Sequence, residues 1–139
     1  MDQPWPRNMY ENGLQVIEAH LDDLMHVNNV MYVQWIQDIA AEHWRQCAPP
    51  ELQSSVYWVV VRHEINYRLP CRLGDQLTIK TETPPDFEGA KWDRFVWIHR
   101  ADGQVAVEAK TTWCLIDRSR HKPMRITKNI LSVFIDQAG

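Results

Sequence analysis

The densest group of polar side chains in the sequence lies between His20 and Asn29. Asn28 and Asn29 are typical helix-capping residues, and a helix N-terminus stabilises negative charge that develops on a carbonyl oxygen. Asp22, six residues before Asn28, could attack a carbonyl carbon at that N-terminus or activate a water molecule there. Asp22 could equally be a solvated loop acid or a capping group. The spacing therefore makes Asp22 a candidate for acyl-transfer chemistry.

His26 belongs to the same polar group and has two interpretations. A histidine next to a helix start can act as an acid or base, or it can be a structural hydrogen-bonding residue. The pattern His20-x-Asp22 with a further histidine is also similar to the beginning of an iron site built from two histidines and one carboxylate. The sequence assigns no further ligand to such a site, so we expect no metal.

Other signatures of chemistry are missing. The five glycines are too dispersed for a phosphate-binding loop or a dinucleotide fingerprint, and no G-x-S-x-G is present. These absences exclude kinases, dehydrogenases and α/β-hydrolases. Cys47, Cys71 and Cys114 form no C-x-x-C pair, which is typical of cysteines that pack in a core, with a catalytic thiol as the alternative. Because seven tryptophans and four tyrosines are many for this length, we expect some to line a pocket or a subunit interface.

The elements that position the polar group follow from hydrophobic spacing. Alternation over residues 14–22 predicts a strand with His20 and Asp22 on one face, after a loosely held lead-in over residues 1–12. Residues 30–47 contain neither Gly nor Pro and repeat apolar residues every three or four positions. This pattern predicts a mostly buried helix that ends before Pro49-Pro50.

The remaining sequence predicts a sheet. Strands are predicted in residues 55–69, 76–83, 90–100 and 105–117, followed by a short closing helix in residues 125–137. In the first of these, the alternation predicts that Val59, Val61, His63, Ile65, Tyr67 and Leu69 face the core. Because the strands follow one another as hairpins, we expect the α+β class, with a curved antiparallel sheet of about five strands around one long helix. Residues 13–139 are expected to form a single domain.

Charge and hydropathy limit the classes of partner. Fifteen Lys and Arg against eighteen Asp and Glu give a net charge of −3, which argues against general binding to nucleic acid or to an anionic membrane. No apolar run approaches the roughly 18–20 residues that span a bilayer. We therefore expect a cytoplasmic protein in which any phosphate-binding site is local.

Residues 22–32 read D-D-L-M-H-V-N-N-V-M-Y, which resembles the signature D-x-x-G-H-V-N-N-x-x-Y of hot-dog-fold thioesterases. Residues 58–67, 73–75 and 111–117 resemble the later strands of the 4-hydroxybenzoyl-CoA thioesterase-like branch, so the resemblance covers about residues 14–126. It implies the hot-dog fold, with a long central helix wrapped by an antiparallel sheet. It also implies homodimers that pair sheet to sheet, often joined into tetramers, with active sites at the dimer interface.

The resemblance further implies an acyl-CoA thioesterase that cleaves its substrate to free acid and CoA. The family's catalytic acid falls on Asp22, either as nucleophile toward the thioester carbonyl or as general base for water. The amide that polarises the carbonyl falls on the backbone of Asn29, with Asn28 as its neighbour and His26 as the histidine of the motif. No metal or cofactor is implied beyond the CoA of the substrate.

Candidates for substrate contact lie outside the motif's catalytic positions. Residues expected to wall an apolar slot for the acyl group are Tyr32, Trp35, Ile36 and Trp58. Residues expected to contact the phosphates of CoA are Arg118, Arg120 and Lys122 in a basic segment, and Arg94 on a strand. The sequence leaves open the acyl group, CoA against acyl carrier protein, and dimer against tetramer.

Two positions depart from the family pattern. Met25 stands where glycine is usual, and glycine permits backbone angles that methionine resists. Leu24 stands where the related plant acyl-ACP thioesterases carry a catalytic asparagine, which argues against their mechanism here. The Met25 departure motivates an alternative function, a non-catalytic acyl-thioester-binding or regulatory protein on the same fold. A hydratase is disfavoured because the D-x-N-P-x-H arrangement is missing.

Overall fold

A 19-residue helix, α1 (Asn29–Cys47), packs against the sheet in the computed structural model, which describes residues 6–136. The Asn28 side chain caps its start, because Asn28 Oδ1 accepts the N–H of Val30 at 3.0 Å. The short helix α2 (Pro50–Ser55) follows. The prediction of a buried helix over residues 30–47 is confirmed, since its buried side chains recur at helical spacing: Tyr32, Trp35, Ile36, Ile39, Ala40 and His43.

In the described part of the chain, seven strands form one antiparallel sheet, which α3 (Lys128–Phe134) follows in the chain. In chain order the strands are β1 (Met9–Gln15), β2 (Val56–Tyr67), β3 (Gln76–Glu82), β4 (Phe87–Glu88), β5 (Lys91–Arg100), β6 (Val105–Asp117) and β7 (Lys122–Pro123). The five longer strands lie in the order β1-β3-β5-β6-β2, while β4 pairs with β5 and β7 pairs with β6. The predicted α+β class, with a curved antiparallel sheet around a long helix, is therefore confirmed.

The first strand lies earlier in the chain than the sequence predicted. β1 covers Met9–Gln15 and pairs along its whole length with β3, so residues 9–12 belong to the sheet and are not a loose lead-in. Residues 1–5 of that predicted lead-in lie outside the described residues. His20 ends a short 3-10 helix (Glu18–His20), which turns the chain before Asp22. The expected shared strand face of His20 and Asp22 is therefore wrong.

An irregularity in β2 changes which side chains face the core. The pairing of β2 with β6 shifts between Val60 and Arg62, which leaves Val61 as an extra residue. As a result Val59 and Val61 are 37% and 49% exposed, while Ile65, beyond the irregularity, packs against the core. The predicted inward face of residues 55–69 is therefore wrong for Val59 and Val61, and Tyr67, predicted on the same face, is also 46% exposed.

The core has two parts, and they lie along different halves of α1. One contains Tyr32, Ile36 and Ile39 of α1. The other is built around α3, with Ile130 and Phe134 buried, and the C-terminal residues of α1 pack against it. Within residues 6–136, no helix is both long enough and apolar enough to cross a membrane.

Candidate active site

Residues 22–26 form a tight turn that Asp22 holds together. Asp22 Oδ1 accepts the backbone N–H of Leu24 at 2.9 Å and that of His26 at 3.1 Å. The Asp22 N–H in turn donates to the His26 carbonyl oxygen at 2.8 Å. Met25 has a φ of 65°, in the left-handed region that favours glycine. The turn therefore keeps, with methionine, a backbone conformation that glycine adopts more easily.

Among the described residues, the carboxylate of Asp22 accepts hydrogen bonds through one oxygen only. Both of its hydrogen bonds use Oδ1, and Oδ2 accepts none from residues 6–136. The side chain is half-buried. A carboxylate held in this way keeps its second oxygen available as a nucleophile or as a proton acceptor.

The N-terminus of α1 supplies an unpaired donor. Asn29 is the first residue of α1, and its backbone N–H donates to no acceptor within residues 6–136. The Asn28 side chain caps the helix by accepting the N–H of Val30. An unpaired N–H at the positive end of a helix dipole favours an oxyanion that develops beside it.

A cavity of about 250 Å³, here called the Asp22 cavity, brings these groups together. Asp22, His26, Asn29 and Tyr32, all from the motif, line it. Its remaining wall includes residues 67–70, from the end of β2 onward. Sequence reasoning missed this wall because residues 67–70 are more than 30 positions away from the motif and carry no signature of their own.

Tyr32 lines the Asp22 cavity with an uncharged side chain. Its side chain is buried and contacts the Cys71 thiol, and burial raises the pKa of its hydroxyl above the ordinary value. Tyr32 is therefore neutral at physiological pH and lines the cavity as a hydroxyl, not as a charged base.

The other side chains expected to wall the acyl slot lie elsewhere. Trp35 and Ile36 are buried in the core cluster that holds Tyr32, and they line neither the Asp22 cavity nor the second cavity described below. Trp58 lines that second cavity. The structure therefore does not bring the four candidates together around one site.

The four residues expected to bind phosphate also lie in different places. Arg118 and Arg120 are exposed at the start of the β6–β7 connection, where Arg120 forms an ion pair with Asp117 at 2.9 Å, and Lys122 is exposed in β7. Arg94, in contrast, is only 6% exposed and lies inside the fold. The basic segment is thus a surface feature, and Arg94 is not part of it.

The histidine of the iron-site pattern is used structurally. His20 Nδ1 accepts the N–H of Ile17 at 3.0 Å, and its ring meets the Trp35 ring edge-on. Across residues 6–136, no three or more His, Cys, Asp or Glu side chains group closely enough to hold a metal ion.

The sequence matches the family model described as the acyl-ACP thioesterase N-terminal domain over residues 8–134. The chain belongs to this thioesterase family. The matched region runs from just before β1 to the end of α3, so family membership rests on nearly the whole fold. The predictions of a hot-dog thioesterase fold and of thioesterase activity are therefore confirmed.

Individual thioesterases agree with this assignment. The chain is 28% identical over 118 residues to the long-chain acyl-CoA thioesterase FadM of Escherichia coli (strain K12), and the match covers 84% of this chain and 89% of that protein. The solved structure of YbaW, a probable thioesterase from Escherichia coli, is 26% identical with a TM-score of 0.76, covering 88% of this chain and 94% of that one.

A more distant structure shares the fold. The hypothetical protein SAV2348 from Staphylococcus aureus, solved in complex with CoA, is 12% identical with a TM-score of 0.82. The similarity covers 95% of this chain and 85% of that one. The thioesterase fold is therefore retained at an identity far below that of the closer relatives.

Proposed function

We propose that this thioesterase hydrolyses an acyl-CoA to a free acid and CoA at the Asp22 cavity. The observation that carries the proposal is that the Asp22 carboxylate, with Oδ2 unbonded, and Asn29 at the start of α1 line one cavity. The 28% identical relative is named as a long-chain acyl-CoA thioesterase, which supports CoA as the carrier.

Two chemical routes fit this geometry. In the first, Asp22 Oδ2 attacks the thioester carbon, the C–S bond breaks, CoA leaves as a thiolate that takes up a proton, and water hydrolyses the resulting anhydride. In the second, Oδ2 takes a proton from a water molecule, which attacks the same carbon, and the proton passes to the departing sulfur. In both routes the Asn29 N–H stabilises the oxyanion. Neither route requires a metal or cofactor, because a thioester is already activated.

The basic segment is proposed to hold the phosphates of CoA. Arg118 and Lys122 are exposed cations, although the chain as a whole is acidic. Arg118 lies beside the C-terminal half of α1, since it shares a cavity with Ala40 and Trp44, whereas Asp22 lies at the N-terminus of that helix. This separation favours a substrate that binds across two copies of the chain.

A homodimer is therefore part of the proposal, with a tetramer as its further assembly. Leu24, Met25 and Val30, which surround the start of α1, are 76%, 58% and 69% exposed. Contiguous exposed apolar residues mark interaction surfaces. β2 is an edge strand that exposes Val59 and Val61, so a second copy has an apolar edge to pair with.

The proposal also places the enzyme in the cytoplasm. Within residues 6–136, no disulfide joins Cys47, Cys71 or Cys114 to another cysteine. Free cysteines without disulfides are typical of reducing compartments, where CoA thioesters are also metabolised.

A panel of acyl-CoAs that vary in chain length and aromaticity tests the proposed function. We expect wild-type protein to release free thiol from at least one of them, measured with a thiol-reactive dye. The alternative, a non-catalytic acyl-thioester-binding or regulatory protein, predicts a raised melting temperature with acyl-CoA and no thiol release. That outcome would replace hydrolysis with binding as the function of the Asp22 cavity.

A further inference from the structure

A second cavity, of about 260 Å³, lies at the other half of α1 and is here called the tryptophan cavity. Among residues 6–136, it shares no lining residue with the Asp22 cavity. Ala40, its first lining residue on α1, is eleven residues beyond Asn29, or about 17 Å along the helix axis. Its volume is just below the roughly 300–1,000 Å³ of typical small-molecule sites, so it can hold one ligand of modest size.

Aromatic rings form a large part of the walls of this cavity. Four of the seven tryptophans line it together with Phe134: Trp44, Trp58, Trp92 and Trp113. The rings contact one another, with centroids 5.7 Å apart for Trp44 and Trp58 and 5.7 Å apart for Trp92 and Phe134. Such walls select a flat or chain-like apolar group. The expectation that some tryptophans line a pocket is confirmed here.

Arg94 brings a buried positive charge to the same cavity. Its Nη1 atom donates to Thr81 Oγ1 at 3.0 Å and to His43 Nδ1 at 2.9 Å. Both acceptors are uncharged groups, and Arg94 forms no ion pair with any carboxylate of residues 6–136. A guanidinium has five N–H donors, so three of them have no acceptor in the described chain.

The neutral state of His43 follows from its two hydrogen bonds. Nδ1 must accept from Arg94, and Nε2 therefore carries the proton and donates to the Arg7 carbonyl oxygen at 2.6 Å. Burial, reinforced by the Arg94 charge, lowers the pKa of His43 to about 3. His43 is therefore a neutral hydrogen-bond acceptor for Arg94 above that pH and supplies no counter-charge to the guanidinium.

A second donor among the lining residues also lacks a partner within residues 6–136. The indole Nε1 of Trp113 is buried and has no acceptor within residues 6–136, whereas Trp92 Nε1 donates to the Pro84 carbonyl oxygen at 2.7 Å. The carboxylate among the described lining residues, Asp93, accepts from Thr112 at 2.6 Å and pairs with Lys110 at 3.7 Å. The cavity thus combines the Arg94 cation with lining donors that have no acceptor in residues 6–136, while the carboxylate of Asp93 is already held by Thr112 and Lys110.

We propose that the tryptophan cavity binds an apolar monocarboxylate, with its carboxylate on the guanidinium of Arg94 and its apolar body between the indole rings. A carboxylate matches the fork of a guanidinium and supplies the missing acceptors. Arg118, exposed at the rim, adds positive charge that favours entry of an anion. This inference does not depend on thioester hydrolysis at Asp22.

Isothermal titration of wild-type protein at pH 7.5 with octanoate and with 1-octanol tests the proposal. The two probes have the same chain and differ in charge. We expect octanoate to bind at least about tenfold more tightly, because a charge-assisted bond to a buried cation discriminates by about that factor or more. Equal affinities, or no binding of octanoate, would overturn the proposal. This comparison uses wild-type protein alone, so it does not depend on the folding of any variant.

Variants then locate the site. Arg94→Met should lower octanoate affinity by about tenfold or more and leave 1-octanol affinity unchanged, whereas Arg94→Lys should retain part of the preference for the anion. The exposed Arg62 serves as the matched control, and Arg62→Met should leave both affinities unchanged. An Arg94→Met protein that still prefers octanoate as strongly as wild type would show that the carboxylate binds elsewhere.

Discussion

Asp22 and His26 are tied by two hydrogen bonds in opposite directions: the Asp22 N–H donates to the His26 carbonyl oxygen at 2.8 Å, and Asp22 Oδ1 accepts the His26 N–H at 3.1 Å. Asp22, the proposed catalytic residue, therefore also stabilises the turn that leads into α1. His26 takes part in this contact through its backbone, so the structure assigns its side chain no role in holding Asp22.

The first prediction concerns the stability of this turn. Asp22→Ala removes the acceptor of two backbone N–H groups, whereas Asp22→Asn keeps an oxygen at Oδ1. We expect urea unfolding to show that Asp22→Ala is less stable than Asp22→Asn by about 1–2 kcal/mol. The exposed neighbour provides a control, because Asp23→Ala should change the free energy of unfolding by less than about 0.5 kcal/mol. Equal stabilities of the two Asp22 variants would contradict the hydrogen-bonded turn.

The second prediction concerns the strained backbone at Met25. A non-glycine residue at a φ of 65° carries a conformational cost that glycine does not. Because glycine also adds entropy to the unfolded chain, we expect Met25→Gly to stabilise the protein only modestly, by up to about 1 kcal/mol in thermal or urea unfolding. Leu24 does not have a positive φ, so Leu24→Gly should leave the free energy of unfolding unchanged or lower it. A destabilised Met25→Gly protein would mean that the methionine side chain makes contacts that outweigh the strain.

The third prediction is the pH dependence caused by His43. Its pKa is about 3 in the folded protein and about 6.5 when unfolded, so acid protonates the unfolded state first. The stability from neutral His43 is complete above pH 6.5 and is lost as the pH falls toward 3. Between pH 7.5 and pH 5 the loss is about 2 kcal/mol. Urea unfolding at both pH values should show this loss in wild type and remove it from His43→Gln; an identical loss in both proteins would disprove it.

The fourth prediction concerns assembly. If the apolar surface at the start of α1 contacts a second copy, a charge placed there should weaken the dimer. We expect sedimentation to give wild-type protein at least twice the 16.4 kDa chain mass, and Leu24→Lys to raise the dimer dissociation constant about tenfold or more. Glu51→Lys, on the exposed surface of α2, is the matched control. A wild-type monomer at high concentration would contradict the proposed dimer.

Much of the fold was accessible from the sequence because its signals are local. Asn28 marks the start of α1 through capping chemistry, and a stretch without Gly or Pro carries the helix to the two prolines. β5 keeps strict alternation, so Trp92, Arg94, Val96 and Ile98 all point inward as a period of two requires. Where one local rule operates without interruption, the structure follows it.

The errors arise where distant residues decide the outcome. The alternation in the sequence runs through Val59 and Val61 without a break, but the strand is irregular there. The irregularity depends on how β2 pairs with β6, and the residues of β2 alone do not predict it. The sequence predicts the first strand too late in the chain, because polar side chains such as Glu11 and Asn12 interrupt the alternation of apolar residues where β1 pairs with β3. The tryptophan cavity is formed by residues of α1, the sheet and α3, which are distant in the sequence. The sequence therefore predicts that Arg94 lies on a strand but not that it is a buried cation.

Steady-state thiol release by Asp22→Asn tests the central claim most directly, with Asp23→Asn as the matched control and the best acyl-CoA from the panel as substrate. Asp22→Asn preserves the oxygen that anchors the turn and removes the charge from the second oxygen. We expect kcat to fall by about 10²–10⁴-fold in Asp22→Asn, with its melting temperature close to that of wild type, and to change by less than about twofold in Asp23→Asn. An Asp22→Asn enzyme with wild-type kcat would place the chemistry away from the start of α1.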